Sequence, residues 1–221
     1  MKDDPESEVS LLEALGINLE EPAPPPSPRQ WVGAAITGGI VIGCLALQAP
    51  FFLTLAKSPL PYVVTPGDKI YKALKFVQKQ KSPSAPSQRT FVDLGSGDGE
   101  GVYQAARAGY HQAVGLELNW TLYKFSQLRR KFFWEADLRQ RTQFYQKDFF
   151  TYSVAKADTC LIFGVPTLME RVSRKLAQEC KPGTHVLSYR FELPLADTSK
   201  PHLLAADIVY DWEEMRVYRC R

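Results

Sequence analysis

Three carboxylates and a glycine-spaced loop are the groups in this chain best placed to do chemistry. The stretch Phe91-Val-Asp-Leu-Gly-Ser-Gly-Asp-Gly-Glu-Gly101 sets Asp93 ahead of glycines at 95, 97 and 99. Missing Cβ atoms let the backbone turn sharply and let a ligand lie against it. A dinucleotide fingerprint needs GxGxxG, but its third glycine falls on Glu100 or Val102 here. A P-loop needs Gly-Lys-Ser/Thr, which the chain lacks. Asp93, Asp98 and Glu100 would repel a pyrophosphate, yet they tolerate a ligand carrying sulfonium and amino groups. Glu117 follows an apolar run and can accept both hydroxyls of a ribose. Asp148 can accept from an adenine amino group while Phe149 covers the ring. Any one of these acids is an ordinary turn residue. Together with the loop they describe a nucleoside site with no phosphate dependence.

Holding the acids in one row requires strands that end side by side. Short apolar runs at Thr90–Leu94, 113–118, Thr142–Gln146, 159–163 and His185–Tyr189 read as strands. Helices are expected over 101–108, 122–136 and 168–180 between them. Two further strands, about 203–212 and 215–219, are joined by Glu213-Glu214 as a terminal hairpin. The expected class is α/β, a parallel sheet wrapped by helices. Ligands of such sheets bind at the carboxyl ends of the strands, where the three acids fall.

The rest of the 221 residues serves another purpose. The net charge of +3 is a sum over unequal pieces. Residues 1–28 form an acidic, Pro-rich leader of net −6; 57–89 form a basic helix and linker; the globular domain is read as 90–221. Residues 30–56 hold no charged side chain and are long enough to span a bilayer once. Ala35, Gly39 and Gly43 give that run a small-residue ridge, so its GxxxG face suits self-association. Net +6 just after the run places the C-terminal side in cytosol or mitochondrial matrix. Within the basic segment Thr65 is expected to cap a helix that has Pro66 at its first position. Cys44, Cys160, Cys180 and Cys220 show no metal-ligand spacing and read as free thiols, and no metal is expected. Residues 91–221 carry only a small net positive charge, so nucleic acid is not an expected partner.

With these residues in view the chain resembles the class I, seven-strand S-adenosylmethionine-dependent methyltransferases. The resemblance implies a Rossmann-like sheet of order 3-2-1-4-5-7-6 with strand 7 antiparallel. It implies S-adenosyl-L-methionine as cofactor, held by Asp93, Gly95, Gly97, Gly99, Glu117 and Asp148, with Asp98, Leu118, Asn119 and Phe149 beside them. A closer resemblance rests on Pro61-Tyr-Val, Val92–Gly99, Val114-Gly-Leu-Glu-Leu-Asn119, Ile162-Phe-Gly-Val-Pro166 and Arg190-Phe191. These are similar to the membrane-anchored mitochondrial protein-lysine methyltransferases acting on the ATP synthase c-subunit and the ADP/ATP carrier. It implies that Tyr62 and Thr65 close over the cofactor, and that Phe163, Gly164 and Pro166 border the acceptor lysine with Trp120 nearby. It further implies a membrane-protein substrate and an inner mitochondrial membrane location, matrix side. The chain departs from that family at Glu100-Gly101, where Arg-Ile is usual, and at Asn119-Trp-Thr, where Asn-Pro-Trp is usual.

Methyl transfer is an in-line displacement, so positioning and water exclusion are the main demands on the protein. A tunnel lined by Phe163, Trp120 or Trp212 would lower the acceptor amine's pKa, and no general base is required. His111, His185 and His202 read as structural. A lipid or quinone methyltransferase, or an assembly factor that kept the fold, are the alternatives.

Overall fold

The computed structural model describes residues 66–221 continuously, and positions 27, 28, 32, 35, 37–39 and 42 before them. The leader, most of the apolar run, Cys44, Tyr62 and Thr65 lie outside the described residues. Among those described, no helix is long and apolar enough to cross a membrane. The chain divides into residues 1–48 and 49–221, and the sheet belongs to the second unit.

Helix α1, Gly67–Gln78, opens that unit with Ile70, Ala73, Leu74 and Val77 on one face. The helix begins one residue later than the spacing suggested. Pro66 occupies the cap position, and its carbonyl accepts from Lys69 and Ile70. Its four apolar residues enter the same core as Phe91, Val102, Leu161 and Leu187. Strand β1 starts at Thr90, but the packed core starts here. Arg89 locks the junction: buried, it donates to Val77 O at 3.0 Å and to Gln80 O at 2.7 Å, satisfying carbonyls at the end of α1.

After β1 (Thr90–Leu94) come α2 (Glu100–Ala108), β2 (Gln112–Glu117), α3 (Trp120–Phe133), α4 (Ala136–Gln140) and β3 (Thr142–Gln146). Then follow β4 (Thr159–Ile162), α5 (Pro166–Glu179), β5 (His185–Tyr189), β6 (Ala206–Trp212) and β7 (Met215–Cys220). The sheet runs 3-2-1-4-5-7-6, parallel except for β7, which is antiparallel to both of its neighbours. This is the Rossmann-like order expected of a class I methyltransferase. Two boundaries differ from the periodicity by three residues, the others by less. The helix expected to run through Ala136 stops at Phe133, because Trp134 turns extended. Its buried indole then packs 5.1 Å from the Tyr103 ring and 5.8 Å from that of Phe144. Leu203 and Leu204 are buried as a strand would bury them, yet β6 begins only at Ala206; Leu204 instead bridges to Leu195.

Leu74 is fully buried, so Leu74→Ala should lower unfolding free energy by about 2–5 kcal/mol. Urea denaturation of the whole protein checks this. An unchanged midpoint would mean that α1 is a tether and not part of the cooperative core.

Candidate functional site

The carboxyl ends of β3, β2, β1 and β4 lie in a row, and the loop after β1 folds back across that edge. Gly95 and Ser96 both donate to Leu116 O at 2.9 Å, pulling the loop over β2. Gly95 and Gly99 hold φ of 96° and 88°, left-handed values that side chains resist, and Gly97 is also positive. A Cβ on Gly95 would meet nothing within 4 Å, so the loop backbone faces open space there.

Glu117 ends β2 and ties this edge together. Its Oε2 accepts from Gly97 N–H at 2.8 Å and its Oε1 from Asn119 N–H at 2.7 Å. The two oxygens offer about four lone-pair sites, so the amides facing them leave acceptor capacity for a further donor, such as a ribose hydroxyl. Burial pushes the Glu117 carboxyl up, and the amide bonds from Asn119, Gly97 and Leu118 pull the other way. Asp93, one strand over, is held well above the usual carboxylate range by burial, then by the charges of Glu117 and Asp98. Lys147 N donates to Glu117 O at 3.1 Å, which brings Asp148 alongside. Asp148 accepts from Phe150 N–H at 2.9 Å, capping the short turn Phe149–Thr151.

The remaining expected cofactor residues hold the site in shape. Asn119 caps α3, its Oδ1 accepting from Thr121 and Leu122 amides at 2.9 and 3.3 Å. Leu118 stands exposed at the rim. The Asp98 carboxylate is engaged by Arg129 of α3, whose second nitrogen meets Glu100 Oε2 at 3.0 Å. Gln104 donates to the other Glu100 oxygen at 2.6 Å. Glu100-Gly101 therefore has a physical role. Glu100 receives Arg129 at the start of α2, and the absent Cβ of Gly101 admits the Asp93 carboxylate, with which it would collide. A Cβ on Gly67 would collide with Glu100 in turn, so α1 also begins at this end. The sequence signal for Arg129 was available: α3 contains no acid, while the loop opposite carries two.

On the acceptor side, Phe163 and Gly164 follow β4, and Pro166 is the first residue of α5. The Phe163 ring stands edge-on to Tyr189 at 5.4 Å. Trp120 lies across β1 from Phe163, half exposed at the start of α3. Trp212 lies at the end of β6 under the Lys72 ammonium, 4.6 Å from its ring centroid. The three aromatics do not form one wall; Tyr189, which periodicity did not single out, supplies the partner for Phe163. Its hydroxyl donates to Glu214 at 3.0 Å, in a turn where Glu213 and Glu214 both hold positive φ. Burial first, then that contact, raises the Tyr189 pKa, so the phenol stays protonated. His185 begins β5 at the other end of the sheet, pushed down to about 4 by burial and by Arg219 and Arg89. It is a neutral core residue and no base for this site. Among the described residues no cluster of His, Cys, Asp or Glu could hold a metal, and Cys160, Cys180 and Cys220 are free thiols.

The residues present fit S-adenosyl-L-methionine. Glu117 keeps acceptor capacity, the loop faces open space at Gly95, and the buried Ser96 Oγ has no hydrogen-bond partner. Comparison with known proteins agrees. The ANTKMT methyltransferase domain matches residues 93–200. The ATP synthase C-subunit lysine N-methyltransferase of Xenopus laevis is 33% identical over 172 residues, covering 76% of this chain and 71% of its own. The adenine nucleotide translocase lysine N-methyltransferase of Mus musculus is 29% identical over 166 residues, 74% of this chain and 68% of its own. Among solved structures, an RNA methyltransferase from Salinibacter ruber with S-adenosyl-L-homocysteine bound gives a TM-score of 0.56 at 27% identity. That match covers 72% of this chain and 92% of the other.

Glu117→Ala should weaken cofactor binding by calorimetry about 10- to 100-fold, the equivalent of one charge-assisted bond of about 1.5–3 kcal/mol. Arg129→Ala should weaken it less, by loosening the loop. Because Asp93 and Glu117 hold protons above the usual range, a cationic ligand that favours their ionised forms should release protons on binding. Affinity should then rise with pH through those raised values and level off above them. Asp93→Asn should flatten the rise, and an equally steep rise in that variant would contradict the assignment.

Proposed function

Since this chain belongs to the family of ATP synthase C-subunit and adenine nucleotide translocase lysine N-methyltransferases, we propose that it methylates a lysine of a membrane protein. It is an S-adenosylmethionine-dependent protein-lysine methyltransferase. Glu117 carries the reading furthest: it fastens Gly97 and Asn119 and keeps acceptor capacity for a ligand hydroxyl. The Glu100-Gly101 departure is absorbed into the same site by Arg129 and Asp93.

S-adenosylmethionine, when bound, supplies a sulfonium methyl open to in-line attack by an amine. Residues of the chain must bring a neutral amine to it. A lysine loses its proton with a reference pKa near 10.4, and a desolvated approach lowers that. Phe163 and Tyr189 form an aromatic surface at the end of β4 and β5, with the Lys69 ammonium 5.6 Å from the Tyr189 ring centroid, and Gly164 and Pro166 shape the loop beside them. With Tyr189 protonated and His185 at the far end, no side chain needs to serve as the base; water carries the proton away. We place Tyr62 and Thr65 over the cofactor, since α1 begins beside Glu100 at this end.

The proposed substrates are the ATP synthase c-subunit and the ADP/ATP carrier, reached from a single membrane anchor at 30–56. The absence of charge in that run supports the anchor, as do the helical, exposed apolar positions Val32 and Ile42. The acidic leader and the basic segment after the run put the catalytic domain on the positive-inside face, and the likeness to mitochondrial enzymes makes that the matrix side of the inner mitochondrial membrane. Mass spectrometry of the c-ring and the carrier, with and without this protein, should show a methyl-lysine lost from one of them. Unchanged lysine methylation in both would contradict the substrate assignment.

A further inference from the structure

Helix α3 carries its apolar ridge on the outside. Its one buried residue is Ser126, which packs against the loop at Gly99. Arg129 and Arg130 turn inward as well, to Asp98 and Glu100 and to Thr142 and Arg139 O. Ser126, the two arginines and the half-buried Tyr123 therefore dock the helix. Outside, Phe125, Leu128 and Phe132 recur at i, i+3 and i+7 and are 50%, 52% and 66% exposed. Trp120 and Leu118 extend the ridge to the cofactor end, and Phe133 stands exposed at the other. Sparse exposed apolar residues are ordinary on a protein surface, but a contiguous aromatic ridge marks a contact.

Charge identifies the occupant. Residues 118–134 contain Lys124, Arg129, Arg130 and Lys131 and no acid. Lys124 and Lys131, one heptad apart, border the ridge and lie over neighbouring rings, Lys124 5.9 Å from that of Trp120 and Lys131 5.3 Å from that of Phe132. Aromatic and aliphatic groups flanked by long cationic side chains suit the boundary between acyl chains and anionic headgroups. A second copy would set the same lysines against each other with no acid to relieve them.

We propose that the outer face of α3 is a membrane-surface contact, with Phe125, Leu128 and Phe132 in the interface of an anionic bilayer and Lys124 and Lys131 at its headgroups. The contact is separate from the anchor proposed at 30–56. It lays α3 along the bilayer, with Leu118 and Trp120 bringing the cofactor end to that surface. A lysine at the edge of a membrane protein would then meet the site without the domain having to search for it.

The test uses the full chain with Cys44 and Cys180 replaced by Ser and an environment-sensitive fluorophore on Phe132→Cys. Ile208→Cys, exposed on β6, serves as the control position. With vesicles of phosphatidylcholine and about 30% phosphatidylglycerol, emission from position 132 should shift to the blue and be quenched by shallow brominated lipids, while position 208 changes in neither respect. Lys124→Glu with Lys131→Glu should raise the lipid concentration for half the shift at least tenfold, at about 1 kcal/mol per basic residue near the surface. Thermal melting of each labelled variant confirms folding. An unshifted label at 132 on vesicles that retain the protein overturns the inference and leaves the anchor standing. Extraction of the chain by alkaline carbonate, with the shift at 132 present before extraction, removes the anchor and supports the contact. A shift without lipid that grows with protein concentration assigns the face to a second copy, and one that needs an added substrate protein assigns it to that protein; either overturns the inference.

Discussion

Two hydrogen bonds to one buried carboxylate organise the site: Gly97 and Asn119 amides to Glu117. Through them the loop after β1, the end of β2 and the cap of α3 become a single unit. The arrangement is costly while no cation is present. Glu117 is buried beside a buried Asp93, and both hold their protons more tightly than ordinary carboxyls. For such groups folding stability falls as pH rises from the unfolded toward the folded pKa, because the native state binds the extra proton. The free protein is therefore strained electrostatically at the edge where a ligand bearing sulfonium and ammonium charge would relieve it. Affinity for a cationic nucleoside and tension in the free state have one origin.

Arg129 is the counterweight. It brings positive charge to Asp98 and Glu100 from outside the loop, so the loop's own acids need not repel one another unopposed. The chain carries an acid directly after the third loop glycine and finds its cation on α3. Glu100 also meets Gln104 and lies under Gly67, which links the start of α1 to the cofactor loop.

Much of this was legible in the chain. Strands β1 and β5 begin and end where their apolar runs do, because buried parallel strands leave little room for polar residues. Edge strand β3 is bounded as expected although three of its five residues are exposed. The three acids were legible because a parallel sheet meets its ligand at the carboxyl ends of its strands. Pairings between distant elements were not. Nothing local ties Arg129 to Glu100, or sets Tyr189 rather than Trp120 or Trp212 beside Phe163; those depend on the order in which strands lie in the sheet. The break at Trp134 was hidden for the same reason. Helix propensity continues through it, and only the aromatic pocket formed by Tyr103 and Phe144 draws the backbone out. The outward ridge of α3 misleads periodicity too, since alternation at helical spacing is read as a core face whichever way it points.

The central claim is that Glu117 fastens the loop before any ligand arrives, and amide hydrogen exchange reads it directly. In the ligand-free protein the Gly97 and Asn119 amides should exchange at least tenfold more slowly than in Glu117→Ala, while amides in the core of β5 exchange alike in both. Fast exchange at Gly97 in the unsubstituted protein would contradict the account, because the loop would then be shaped by its ligand and not by Glu117.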